Sequence, residues 1–108
     1  MQVSEITWSQ TERNIVREVL QRAYDRETKA LIQVVREQAG QITELQDLWK
    51  LHDFLSARRF DLDGKYDDRD SEIIFVFATL LKEGWLQLDE LQGLEQDKIS
   101  KISALSRM

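Results

Sequence analysis

Residues 9–39, SQTERNIVREVLQRAYDRETKALIQVVREQA, decide how the chain folds. Ser9 precedes Glu12 by three positions, the spacing at which the hydroxyl accepts from the N–H of Glu12 and the carboxylate reaches back to the N–H of Ser9. Ile15, Val16, Val19, Leu20 and Ala23 then recur at helical spacing, and Leu31, Val34 and Val35 resume the stripe after the polar run Asp25 to Lys29. The pattern predicts one helix running to about Ala39. Roughly 29 residues at about 1.5 Å each make a rod of about 44 Å, whereas a compact chain of about 100 residues has a radius of gyration near 13 Å. Such a rod protrudes from its own globule with an apolar stripe uncovered. A second copy of the chain, in an isologous dimer, is the least expensive cover.

The composition agrees with an all-α reading. The chain has 108 residues, no proline and only 4 glycines, which argues against a β-sandwich with Gly/Pro turns. Hydrophobic residues at 42% and charged residues at 32% exclude a disordered polyanion, and no apolar run is long enough to span a membrane. A soluble, folded chain with one core is expected. The absence of cysteine removes disulfides, thiol catalysis and cysteine-based zinc sites, and is compatible with a reducing cytoplasm. A net charge of -5 opposes nonspecific attraction to nucleic acid or to an anionic membrane. The first ten residues, MQVSEITWSQ, lack the basic and apolar regions of a signal peptide.

Glycines at 40, 64, 84 and 93 read as punctuation between helices. A second helix opens at Thr43, with Gln46 at capping-box spacing, and carries ELQDLWKLHDFLSARRFDLD up to Gly64. Leu48, Leu51, Leu55 and Leu62 form its seam, with His52 and Arg59 at the edge and Trp49, Asp53, Ser56 and Phe60 beside them. The acids of KYDDRDSE favour a helix start, and IIFVFATLLKEG follows with almost no polar face. It reads as the central core helix, capped by Gly84; a buried strand is the alternative, without a partner strand in the sequence. WLQLDELQ predicts a short amphipathic turn, and EQDKISKISALSRM a last helix packed through Ile99, Ile102 and Leu105.

The chemistry on offer is sparse. His52 is the only histidine, so multi-histidine metal sites are excluded. The acidic stretch DLDGKYDDRDSE fails as a calcium loop: with Gly64 at the sixth position, Arg59 falls where the first carboxylate is needed. Phosphate-cradling GxxxxGKS/T and GxGxxG motifs and the GxSxG nucleophile elbow are absent. His52 beside Asp53 is a poor catalytic dyad, because adjacent helical residues point about 100° apart. His52 reads either as the margin of a packed seam or as a contact in an interface. Asp53 and Arg59, six apart, cannot pair within the helix; they are two solvated charges or a reciprocal pair across a two-fold axis, and Trp49 one turn earlier favours an interface. Arg58 and Arg59 are too few for a nucleic-acid patch. Phe75 and Phe77 read as core, and Lys101 as a solvated charge. The residues alone therefore predict an all-α, dimeric interaction protein that is not an enzyme and carries no cofactor or metal.

Residues 47–60, DLWKLHDFLSARRF, with DGKYDDR at 63–69 and IIFVFATLLKEG at 73–84, closely resemble the fluorescence recovery protein family of cyanobacteria. Shorter matches at WSQ (8–10), AY (23–24), QIT (41–43) and DKISKISAL (97–105) extend the likeness over nearly the whole chain. The resemblance implies an elongated homodimer: residues 1–108 as a single all-helical domain, with a stalk over about 9–62 and a small head over about 66–108. It implies a regulator that binds the photoactivated red form of the orange carotenoid protein through that protein's C-terminal domain. The regulator speeds reversion to the orange form and detachment from the phycobilisome, ending non-photochemical quenching, in the cytoplasm and at the thylakoid face that carries phycobilisomes. By the same resemblance Trp49, His52, Asp53 and Arg59 form a central patch, Phe75 and Lys101 are head contacts, and Leu48 lies in the dimer seam with Trp49, Asp53 and Arg59. The rival reading is a helical dimeric scaffold or adaptor with a different partner; a small enzyme using His52 is a distant third.

Overall fold

In the computed structural model, the described residues run from Ile6 to Met108, so the first five residues of MQVSEITWSQ, the stretch read as lacking a signal peptide, lie outside them. Helix α1 spans Gln10–Gly40, α2 Leu45–Lys65, α3 Ile73–Glu83 and α4 Gln96–Ser106, with a 3₁₀ turn at Leu88–Leu91. Among the described residues there is no β-strand, which settles the IIFVFATLLKEG run as helix. The molecule measures 53 × 24 × 23 Å with a radius of gyration of 16.8 Å, well above the roughly 13 Å of a compact chain this long. The excess is the length of α1, whose 31 residues span about 46 Å.

The helix signals operate mostly as read. Ser9 Oγ accepts from the Glu12 N–H at 3.1 Å, and Glu12 Oε1 accepts from the Ser9 N–H at 3.1 Å. Gly84 caps α3 with φ 85°, and the Trp85 N–H donates to Leu80 O at 2.9 Å, closing a Schellman-type end. Two boundaries differ. The cap of α2 is Glu44, not Thr43, because Asp47 rather than Gln46 turns back: its Oδ2 accepts from the N–H groups of Thr43 and Glu44, both at 3.2 Å, and from the Thr43 hydroxyl at 3.3 Å. Gly64 does not end α2, which continues to Lys65. Gly64 stays helical there because nothing in its own geometry obliges the chain to turn, and the actual stop comes at Tyr66.

The core lies where the first half of α1 meets α3, the 3₁₀ turn and α4. Val16, Val19, Leu20 and Ala23 of α1 pack with Ile73, Ile74, Val76, Phe77, Ala78 and Leu80 of α3, with Leu86, Leu91 and Leu94, and with Ile102 of α4. Ile6 and Trp8, ahead of α1, are buried there too. Ile99 and Leu105 pack against this cluster half-buried. Phe75 does not join it. Although its sequence neighbours are buried, it is 45% exposed, because it lies on the same face of α3 as Thr79 and Lys82, one and two turns on.

Helix α2 is different in kind. None of its 21 residues is buried. It follows α1 after the short connection 41–44 and runs back along it, so Arg58 and Lys65 reach Glu27 in the middle of α1. Leu51, Phe54 and Leu62 are half-buried, whereas Leu45, Leu48, Trp49, Leu55 and Phe60 are exposed. The apolar stripe of α1 likewise ends its burial at Ala23: Leu31 and Val35 are half-buried and Ile32 and Val34 exposed.

Candidate protein-binding face

Twenty-one residues at 100° each sort α2 into sectors. Leu51, Phe54, Arg58, Leu62 and Lys65 form the sector turned toward α1, and all five are half-buried. Leu48, His52, Leu55 and Arg59 form a flanking sector that is exposed along its whole length. Trp49, Asp53, Ser56 and Phe60 form the outward sector next to it, also exposed. A helix carrying exposed Leu48, Trp49, Leu55 and Phe60 on adjoining sectors leaves uncovered an apolar strip of the kind that marks protein interaction sites. Charges are interleaved with it, so the face offers both anchoring area and orientation.

Three of the four patch residues come together. The Trp49 and His52 rings meet edge-on with centroids 6.4 Å apart, and His52 Nδ1 lies 3.3 Å from Asp53 Oδ1. The helix-wheel expectation that His52 and Asp53 do not meet is thereby corrected: side chains that are 70% and 83% exposed have room to bend around the helix toward each other. Such an exposed pair is held weakly. Arg59 stands apart, seven residues beyond His52, and its closest anion is Asp63 at 3.9 Å, not Asp53. Phe75 and Lys101 lie on other elements. Lys101, on α4, pairs with Asp97 one turn back at 3.1 Å, so it is less free than a fully solvated charge.

Of the acids between α2 and α3, Glu72 stands at the N-cap of α3 but makes no side-chain cap bond, and Asp67 and Asp70 turn elsewhere. Asp67 binds Arg69 with both carboxylate oxygens, and Asp70 forms a two-pronged pair with Arg13 of α1 at 2.8 Å for each arm. The arginine contacts hold both carboxyls below the usual Asp range. Among the described residues no cluster of three or more His, Cys, Asp or Glu side chains could hold a metal ion, and no helix is long and apolar enough to cross a membrane.

Sequence reasoning missed the burial of three charged side chains, Glu12, Glu27 and Lys98. Glu12 is 4% exposed and Glu27 is 1% exposed. Lys98 of α4 donates to Glu12 Oε1 at 2.7 Å and to Thr7 O at 2.6 Å, and its ammonium sits 4.4 Å from the centroid of the Trp8 ring. Glu95 N–H donates to Glu12 Oε2 at 3.0 Å. Glu27 accepts from Tyr66 Oη at 2.6 Å, Lys65 Nζ at 2.9 Å and Arg58 Nη2 at 3.0 Å. Burial pushes both glutamates up, but their hydrogen bonds and adjacent cations outweigh it, leaving both below the usual range. Burial, then the hydrogen bond to Glu27, pushes the Tyr66 hydroxyl well up. The signal was present in the spacing. Glu12, Val16, Val19, Leu20, Ala23 and Glu27 form one continuous stripe with an acid at each end, so the run Asp25 to Lys29 does not interrupt the buried face.

The family model described as photoprotection regulator fluorescence recovery protein matches residues 8–106. The chain is 56% identical over 108 residues to the fluorescence recovery protein of Synechocystis sp., a match covering 100% of this chain and 99% of that one. The solved structure of the Fremyella diplosiphon fluorescence recovery protein superposes with a TM-score of 0.91 at 58% identity, covering 94% of this chain and 100% of the other. That of the Synechocystis protein superposes at 0.92 and 57% identity with the same coverage. Agreement in sequence and in helix arrangement over almost the full length places the chain: it belongs to the photoprotection regulator fluorescence recovery protein family.

Proposed function

We propose that the chain acts as a homodimer that binds the photoactivated red form of the orange carotenoid protein through that partner's C-terminal domain. It accelerates the return to the orange form and the partner's detachment from the phycobilisome, so that quenching ends. The observation that carries this reading is the uncovered apolar and charged strip of α2, centred on Trp49, in a chain of this family. Leu48, Trp49, Asp53 and Arg59 are assigned to the seam with a second copy. Trp49, His52, Asp53 and Arg59, with Phe75 and Lys101, are assigned to the partner. Residues 1–108 form one unit in this reading, with a stalk over about 9–62 and a head over about 66–108, working in the cytoplasm beside the thylakoid.

No bond chemistry is required. A binder speeds a conformational relaxation only by holding the barrier state more tightly than the starting state, about tenfold for each 1.36 kcal/mol. Apolar side chains of α2 supply contact with a surface exposed in the activated partner, and Asp53 and Arg59 at the rim set orientation. The direct test mixes the protein with photoactivated orange carotenoid protein in the dark and follows absorption. A faster red-to-orange return is expected; an unchanged rate would reject the reading.

A further inference from the structure

Helix α2 carries the candidate face but has no buried side chain of its own. Half-buried Leu51, Phe54 and Leu62 give it apolar contact, and such contact is non-directional. The directional contacts converge on one carboxylate. Glu27, 1% exposed on α1, accepts from Arg58 and Lys65 of α2 and from Tyr66 directly after it. Lys65 also bonds to Glu83 at the end of α3. The Tyr66 ring is fixed in turn by an edge-on contact with Tyr24, centroids 5.2 Å apart at 86°. A single carboxylate on α1 thus gathers the end of α2 and the residue after it, and Lys65 joins the same point to α3.

Burying a carboxylate is costly, and an apolar replacement is often as stable as a buried ion pair. What the charged cluster supplies is direction: charge-assisted hydrogen bonds have a fixed length and angle, so they set a helix's register where apolar contact tolerates sliding. We infer that Glu27 is a positioning residue for the α2 face, a latch whose bonds to Arg58, Lys65 and Tyr66 fix the angle at which Trp49, His52, Asp53 and Arg59 are presented. The inference rests on the proposed function for its consequence, but the latch itself can be observed without any partner.

The test compares Glu27→Gln with the native chain by amide hydrogen exchange and by the red-to-orange rate at saturating protein. Glutamine keeps the volume and removes the charge. Exchange over residues 54–66 is expected to rise at least tenfold while that of Ile74 to Leu81 is unchanged, and the saturating acceleration is expected to fall several-fold. Arg58→Lys, which keeps a cation within reach, should restore most of both properties relative to Arg58→Ala. Ile74→Val, a core truncation that lowers thermal stability elsewhere, should move neither readout, separating positioning from general destabilisation. Native exchange over 54–66 in Glu27→Gln overturns the latch. Raised exchange with undiminished acceleration overturns its positioning role. If the native chain fails to accelerate reversion, the functional reading falls, and the exchange result alone decides whether Glu27 holds α2.

Discussion

Lys98 Nζ on α4 lies 2.7 Å from Glu12 Oε1 near the start of α1, and both side chains are only 5% exposed. The pair joins two ends of the chain 86 residues apart and closes the core from the side where Ile6 and Trp8 enter it. Lys98→Met would leave a buried carboxylate without its cation. A loss of roughly 3–5 kcal/mol is expected, read as a lower denaturation midpoint with an unchanged denaturant slope.

Acid should expose the same dependence. Glu12 and Glu27 have folded-state carboxyls held below their unfolded range. Their contribution is therefore complete above the usual glutamate value of about 4.3 and is lost as pH falls through the lowered folded values. Thermal melts should show nearly constant stability from pH 7 to 5 and a progressive fall below about pH 4.

Leu48 is 44% exposed in the single chain. Leu48→Glu places a charge in the seam proposed for the second copy, where it would be desolvated without a partner. The variant should elute from a sizing column as a monomer with unchanged helical circular dichroism.

Trp49→Ala removes the largest side chain of the face without disturbing a buried one. If Trp49 anchors the partner as a hot-spot residue of about 2 kcal/mol or more, the specificity of acceleration, measured at low protein concentration, should drop about 30-fold. Thermal stability should remain near native.

Two glycines should respond with opposite sign. Gly64 is helical and exposed, and an added Cβ would meet nothing within 4 Å; Gly64→Ala should stabilise by roughly 0.5–1 kcal/mol. Gly84 has φ 85°, and Gly84→Ala should cost about 1–2 kcal/mol. Paired thermal melts test both.

Much of this arrangement was legible before any coordinates. Ser9 and Glu12, the stripe from Ile15 to Ala23, and Gly84 each report a local rule, and local rules are written in short spacings. The Trp49 to Arg59 face was legible for the same reason, since sector positions on a helix follow from residue number. Glu27 continues the helical spacing of that stripe, but a glutamate inside a polar run reads as solvated, and the partners that justify its burial, Arg58, Lys65 and Tyr66, come from more than 30 positions away. Phe75 illustrates the converse: six buried residues surround it in α3, yet one sector of that helix faces outward, and hydrophobicity alone does not say which. Gly64 shows that composition is weaker punctuation than backbone geometry, since only φ separates it from Gly84.

The length of α1 also has a mechanical consequence. Its first half is fixed in the core, while its second half projects beside α2 with no buried residue after Glu27. With no proline anywhere to bend it, the helix transmits rotation as a lever. The part beyond Glu27 is a free arm of about 20 Å, and tilting it by roughly 5° where it leaves the core displaces the Gly40 end by about 2 Å. Small repacking among α1, α3 and α4 is therefore carried out to the tip, where the chain turns toward Leu45 and Leu48.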